Sequence, residues 1–364
     1  MDSHSRRSLH GGGSLASVTR KEILITGGAG FLGSHLAETC IDHGAQVRIF
    51  DILPAPAWAK RPEIRYIRGD IRDRVAVRAA LKGVDAVVHA AFASPRVAPP
   101  IMSGINARGA RNVASGCREA GVQRLVLISS TVVERQPRVH PFLRHSGLSA
   151  MDAYRATRAE AERIASEFAD RGLSLAIVRP KTFVGPGRVS AFNIIFEWIR
   201  KGRPVLLMGS ASAPYQLVEI RDMAEGIRLL ADSGAEGVFH FGAERFGTLR
   251  GDLAALIEHA GTGSRLRFVP APLARGLLRA MEISGTATAS ELHYMSAWGR
   301  PSVANTLRAV RELGWQPKWS NREALANAYD WYARSIEENA SARSIHKLPG
   351  AHRTMSRLIE TVLR

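Results

Sequence analysis

Cysteine is nearly absent from this chain: Cys40 and Cys117 are the two in 364 residues. Both fall in helix-like contexts, which excludes a disulfide framework and any cysteine-based zinc spacing. Lysine is scarce as well, supplying seven of the 50 basic residues. The Arg residues that make up the rest are spread along the whole sequence, with no block of about five or six like charges. Aromatic residues, at 7%, are not interleaved with the cations as a base-stacking platform would require. The formal charge of +17 therefore reads as an Arg-rich solvated surface that prefers anionic ligands, and it argues against a nucleic-acid partner. No apolar run approaches the ~20 residues that span a bilayer. The first twenty residues, rich in Ser, Arg, His and Gly, lack the apolar core of a secretory signal. They read as a disordered tail, and the cytoplasm is the expected compartment.

What is present begins at Thr26-Gly27-Gly28-Ala29-Gly30-Phe31-Leu32-Gly33. Glu22 to Thr26 reads as a buried strand, and Phe31 to about His43 has helical apolar spacing. Strand, glycine-rich turn and helix in that order make a phosphate cradle. Gly27 permits the tight turn, Gly30 lets backbone approach a pyrophosphate, and Gly33 lets the helix pack on the strand. A second strand, Gln46 to Phe50, ends at Asp51, 21 residues beyond Gly30. That is near the spacing of a carboxylate that binds adenosine ribose hydroxyls.

Further strands are expected at Ile64 to Ile67, Ala86 to His89, Arg124 to Ile128 and Leu175 to Val178. Helices are expected at Arg74 to Leu81, Ile101 to Ala120 and Asp152 to Arg171. This alternation predicts an α/β fold, a doubly wound parallel sheet with ligands at the strand carboxyl ends. Asp70 follows the third strand, where it can meet an adenine amino group with Ile71 against the ring. Ala90 and Ala91 are small enough for a cofactor to lie against them, and His89 reads as structural. The expected division is a tail over 1–20, a dinucleotide-binding part over 21–180, a mixed substrate lobe with additional sheet strands over 181–336, and a C-terminal extension over 337–364. In that extension, His352 to Arg364 has the spacing of an amphipathic helix.

Ser130, Tyr154 and Arg158 are the candidate catalytic residues. Tyr154 and Arg158 lie four apart on one helix and so share a face. A phenol is a poor base near neutrality, and a fixed cation one turn away favours its ionised form. Ser130, at a strand end, can hold a substrate oxygen while Tyr154 takes or returns its proton. No His, Cys, Asp and Glu spacing suggests a metal.

In order along the chain stand the glycine stretch, Asp51, Gly69-Asp70-Ile71, His89-Ala90-Ala91, Ser129-Ser130-Thr131, Tyr154-x-x-x-Arg158, Arg179-Pro180 with Gly185-Pro186-Gly187, and Leu313-Gly314-Trp315-Gln316-Pro317. Together they resemble an extended short-chain dehydrogenase/reductase of the NAD-dependent epimerase/dehydratase type over residues 21–335. The resemblance implies a Rossmann-type sheet with a smaller C-terminal substrate lobe, and often a homodimer. It implies cofactor contacts from Gly27, Gly30, Phe31, Leu32, Asp51, Asp70, Ile71, Ala90, Ala91, Tyr154 and Arg158. It also implies NAD in preference to NADP, since Asp51 is followed by Ile52 and not by Arg.

The departures bear on the reaction. Arg158 stands where the family carries Lys. Thr131-Val132 replaces the Asp-Glu of the dehydratases, which argues against water elimination. Thr182 and Tyr215 occupy the substrate-facing positions where an Asn and a clamping Arg commonly meet a nucleotide sugar. Arg221, Lys181, Arg188 and Arg203 are candidate anion contacts without an assigned place. The expectation is an oxidoreductase or epimerase working at a secondary alcohol or ketone carbon of a sugar derivative or similar small molecule. A ketoreductase for a non-sugar substrate, a catalytically silent NAD-binding regulator, and an anion or RNA binder on the same fold stay open.

Overall fold

The computed structural model describes residues 20–95, 97–135, 150–188, 192–270, 273 and 300–341. The N-terminal tail, residues 136–149 and the amphipathic stretch over 352–364 lie outside the described residues.

Seven parallel strands form the central sheet. They are β1 (Glu22–Thr26), β2 (Gln46–Asp51), β3 (Ile64–Arg68), β4 (Ala86–His89), β5 (Arg124–Ile128), β6 (Ser174–Pro180) and β10 (Gly237–Phe241), in the spatial order β10-β6-β5-β4-β1-β2-β3. β1, β4 and β5 are apolar on both sides because helices cover both faces. On one face α1 (Phe31–Asp42) and α7 (Ile220–Asp232) bury Ile23, Ile25, Val88 and Val126. On the other, α2 (Arg74–Ala80), α4 (Gly109–Glu119) and α5 (Ala150–Ala169) bury Leu24, Val87, Leu125 and Leu127. The strands' common direction brings all seven carboxyl ends to one edge.

The helix expected over Ile101 to Ala120 is a composite. α3 (Pro99–Ser103) runs through a π-helical turn, Gly104–Arg108, into α4. The wide turn faces Asn106 inward at 0% exposure, where it accepts the Ala93 N–H (2.8 Å) and donates to Thr157 Oγ1 (3.0 Å). Such turns interrupt helices where a side chain must be re-aimed.

Two short parallel ladders make up the smaller lobe: β7 (Thr182–Val184) with β9 (Leu217–Glu219), and β8 (Val205–Met208) with β11 (Leu266–Val269). β7 and β11 are too short for a strand pattern to show in the sequence. Around them α6 (Phe192–Arg200), α8 (Leu249–Ala260) and α10 (Asn321–Ser341) enclose a second core that includes Phe196, Trp198, Leu217, Leu253 and Leu325. Thr248 caps α8 by accepting the Gly251 N–H, and Gly261 ends it at φ 62°. These are the usual start and stop signals of a helix.

Residues 181–336 hold both the lobe and elements of the main sheet body. β10 and α7, both later in the chain, belong to the sheet body. Trp315, at 0% exposure, packs edge-on against Phe241 and donates to the Asp222 carbonyl (2.8 Å). The Asp222 carboxylate in turn accepts the N–H groups of Lys318 and Trp319 (3.0 Å each), which ties this late segment to α7.

α9 (Leu307–Leu313) closes the outer side of β10. Its Arg308 lies 4.2 Å over the Phe239 ring and donates to the carbonyls of Val238 (3.1 Å) and Glu236 (2.6 Å). Gly237 makes room for it, since a Cβ there would stand 2.9 Å from Arg308 Nη1.

Candidate active site

The cradle is built as the glycines require. Gly27 has φ +70°, and a Cβ on it would stand 2.8 Å from the backbone N and Cα of Ala91. At Gly33 a Cβ would stand 2.4 Å from the Gly28 Cα, so this glycine lets α1 sit on the turn. α1 begins after Gly30 with no side-chain cap and no acidic residue in its first turn. The first N–H groups of an α-helix have no partner within it, and here they carry the positive end of the helix dipole toward the turn.

A cavity of about 290 Å³ opens beside this turn. It brings together Gly27, Gly30, Asp51, Asp70, Ile71, Ala90 and Ala91, all expected as cofactor contacts, and adds Arg72, Phe92, Ala93 and Ile105. Asp51 accepts the N–H groups of Ala29 and Leu53 (3.0 Å each), which fixes its carboxylate at the cavity wall. Asp70 is held by Arg72 through three side-chain contacts of 2.6 to 3.0 Å and through the Arg72 N–H (2.8 Å). Those hydrogen bonds, the side-chain ones foremost, keep its carboxyl below the usual range against the opposing effect of partial burial. Phe31 and Leu32 turn their side chains away. Leu32 is core, and the Phe31 ring stacks on Phe183, 5.9 Å between centroids at 6°. Only the backbone N–H groups of these two can serve a phosphate.

Tyr154 and Arg158 meet directly. Arg158 donates from Nε (3.1 Å) and Nη2 (2.9 Å) to the Tyr154 phenol oxygen, and from Nη1 to the Ile128 carbonyl (2.8 Å). That carbonyl ends β5, two residues before Ser130, so the pair is anchored to the strand end that carries the serine. Arg158 is 9% exposed, and its guanidinium lies 3.8 Å over the ring of Phe92. Phe92 lines the cavity and so joins the pair to the cradle. In the sequence a lone aromatic after two alanines carries no signal for this part. Ser130 Oγ accepts the Val132 N–H (3.3 Å), which leaves its own hydrogen free to be donated.

His89 is fully buried, with Nδ1 2.7 Å from Thr26 Oγ1 and its ring 4.7 Å from Phe92. Burial, and then the charge of Arg158, lower its pKa to about 3. The imidazole is therefore neutral near pH 7, a spacer between β1 and β4.

The structure places Thr182 half-buried in β7 and Tyr215 in the lobe core at 3% exposure. Neither lines the described cavity, and the Tyr215 carbonyl accepts from Asn321 Nδ2 (2.6 Å) as part of lobe packing. Among the candidate anion contacts, Lys181 donates to Ser302 Oγ (2.6 Å) and Arg221 pairs with Glu219 (2.8 Å).

A parallel sheet of this strand order, with a glycine turn, an acid after β2 and a Tyr–Arg pair at the carboxyl edge, defines a dinucleotide-binding protein of the short-chain dehydrogenase/reductase class. The family model for the NAD dependent epimerase/dehydratase family matches residues 23–242, and this chain belongs to that family. Its cofactor is NAD, and the open cavity, the fixed Asp51 and the uncapped start of α1 fit that dinucleotide.

The chain is 31% identical over 335 residues to the uncharacterized protein y4nG of Sinorhizobium fredii, covering 90% of this chain and 83% of that one. It is 25% identical over 364 residues to a 3 beta-hydroxysteroid dehydrogenase/Delta 5-->4-isomerase of Mycobacterium tuberculosis, covering 89% and 94% respectively. Among solved structures, the UDP-glucose 4-epimerase of Thermus thermophilus in complex with NAD aligns with a TM-score of 0.65 and 26% identity, over 85% of this chain and 98% of that one.

Proposed function

We propose that this chain transfers hydride between NAD and a secondary alcohol or ketone carbon of a small molecule, with Tyr154 as the acid/base. The observation that carries this reading is the double donation from Arg158 to the Tyr154 oxygen, anchored at the strand end that bears Ser130. Bound NAD supplies the hydride acceptor or donor. Tyr154 Oη takes the hydroxyl proton on oxidation and returns it on reduction. Negative charge that accumulates on Oη meets two guanidinium donors already in place, so little reorganisation accompanies proton transfer. The Ser130 hydroxyl, oriented by the Val132 N–H, donates to the substrate oxygen. His89 takes no proton in this scheme, being buried and neutral. Thr131-Val132 leaves no carboxylate pair for elimination, so oxidation, reduction or epimerisation is the chemistry, and not dehydration.

Arg158 also bears on the silent-regulator alternative. A guanidinium is bulkier than an ammonium and permanently charged. Here its bulk is absorbed by the Phe92 stack and its charge is directed at the phenol. That arrangement supports retained chemistry.

A second reading concerns the substrate. The relatives similar over most of the chain include a hydroxysteroid dehydrogenase, and Tyr215, at the clamping position, is packed in the lobe core. Both favour a non-sugar hydroxy compound over a nucleotide sugar. Assay with a 3β-hydroxysteroid and with UDP-glucose, following NAD reduction, separates the two. Tyr154→Phe is expected to abolish turnover and leave the NAD dissociation constant nearly unchanged; full turnover in that variant refutes the assignment.

A further inference from the structure

We propose that Arg72 seals the Asp70 carboxylate and itself reads the purine of the bound dinucleotide, as a hydrogen-bond donor to acceptor atoms of the base. The amino group of adenine is then not what this pocket selects, and a 6-oxo purine is admitted as readily. The inference rests on the dinucleotide cavity and not on the hydride-transfer reading.

Asp70 and Arg72 both line the cavity, with Ile71 between them in the chain. A carboxylate offers about four acceptor positions. Arg72 engages them from one residue: its backbone N–H (2.8 Å) and Nε (3.0 Å) reach Oδ1, while Nε (3.0 Å) and Nη2 (2.6 Å) reach Oδ2. Two-point pairing of a guanidinium with a carboxylate fixes orientation as well as charge. A Cβ on Gly104 would lie 3.7 Å from Arg72 Cδ, so the stem of the side chain rests beside the π turn. The clamp leaves Nη1 and the outer hydrogen of Nη2 to donate elsewhere, and the side chain is 41% exposed, so a ligand can reach them.

The other acceptors on this wall are engaged as well. The carbonyls of Ile52 and Leu53 accept from Arg68 Nε (3.1 Å) and the Tyr66 hydroxyl (2.8 Å), and the Ile71 carbonyl accepts from Asn112 Nδ2 (3.1 Å). The Arg72 hydrogen bonds hold the Asp70 carboxyl below its ordinary range, and the charge of Arg108, at the end of the π turn, acts in the same direction. The wall therefore presents donors and positive charge. An amino group brought there is a donor facing donors. Adenine still offers its ring nitrogens as acceptors, and a 6-oxo purine offers O6 beside N7, the pair that a guanidinium meets with two parallel bonds.

Calorimetry on the full-length protein tests this by comparing NAD with nicotinamide hypoxanthine dinucleotide, which carries oxygen in place of the 6-amino group. The parent is expected to bind the two within about threefold, whereas an acceptor aimed at the amino group would favour NAD by about tenfold or more. Arg72→Ala unseals Asp70, so the ratio of affinities is expected to swing toward NAD by about tenfold, mainly through loss of the hypoxanthine dinucleotide. Asp70→Ala releases the guanidinium and should weaken both ligands alike. A parent that prefers NAD by more than about threefold overturns the proposal, because the amino group is then being read. So does an Arg72→Ala variant with the parental ratio, whether its two affinities are kept or lost together. Selective loss of NAD in Asp70→Ala also overturns it, since Asp70 then meets the base directly. The parent comparison depends on no variant folding. Turnover enters none of these measurements, so failure of the hydride-transfer reading would leave them intact.

Discussion

Replacing Arg158 by the lysine usual in this family should damage the protein. The guanidinium makes three hydrogen bonds, two to Tyr154 Oη and one to the Ile128 carbonyl, while stacked 3.8 Å over Phe92. An ammonium on a flexible stem reaches the phenol or the carbonyl, but does not span both with this geometry. If one bond is kept, two are lost, at about 1.5 kcal/mol each for a charged donor. The lost stacking adds about 1 kcal/mol. Tyr154 is only half-buried, and water recovers part of its share. The net expectation for Arg158→Lys is a destabilisation of about 3 kcal/mol, read as a fall in the urea midpoint at unchanged slope. Phe92→Leu in the lysine background should then cost much less than Phe92→Leu in the parent, because the stack is already gone. A lysine variant as stable as the parent, or additive effects of the two substitutions, refutes the claim that Phe92 and Ile128 hold the guanidinium in place.

Gly27→Ala should lose about 2 kcal/mol of stability, combining ~1–2 kcal/mol of left-handed strain with displacement of the Ala91 backbone 2.8 Å from the new Cβ. The shifted cavity wall should also weaken NAD binding at least tenfold, and a variant with parental affinity in calorimetry counts against the cradle. The pH dependence of stability should carry the signature of His89. Its folded value of about 3 lies below the ordinary 6.5, so between the two the unfolded chain binds the extra proton. Stability from this group is complete above pH 6.5 and is lost as pH falls toward 3, at up to ~1.4 kcal/mol per pH unit. His89→Gln should flatten the urea midpoint between pH 6.5 and 5 relative to the parent; equal slopes contradict a buried neutral imidazole.

Local signals carried the sheet. β1, β4 and β5 are short apolar runs bounded by turns, and Gly27, Gly33 and Asp51 announced the cradle because each is fixed by neighbours within about two dozen residues. The lobe was less legible. β7 and β11 are three and four residues long, too short for alternation to show. That β10 joins the main sheet is set by its pairing with β6, some sixty residues earlier, and by packing of α7. At the site, the Tyr154–Arg158 spacing was visible, but what occupies Arg158 was not. Phe92 and the Ile128 carbonyl reach it from different strand ends. Asn106 carries no sequence signal, because it is the π turn that aims it at Ala93 and Thr157. The motif position of Tyr215 marks it as a substrate contact, while its burial in the lobe core depends on packing partners far along the chain.

Arg308 has a consequence for assembly. An outer strand of a sheet ordinarily offers a row of free carbonyls to any extended segment, and identical copies of a chain are the partners met most often. Here the carbonyls of Glu236 and Val238 are already taken by the guanidinium, and Gly237 between them is left without a side chain so that it fits. Lengthening the sheet across β10 would first require expelling a charged group from two hydrogen bonds and an aromatic face. Self-association through this margin is therefore opposed by the folded chain itself. Truncating Arg308 would return the Glu236 and Val238 carbonyls to solvent.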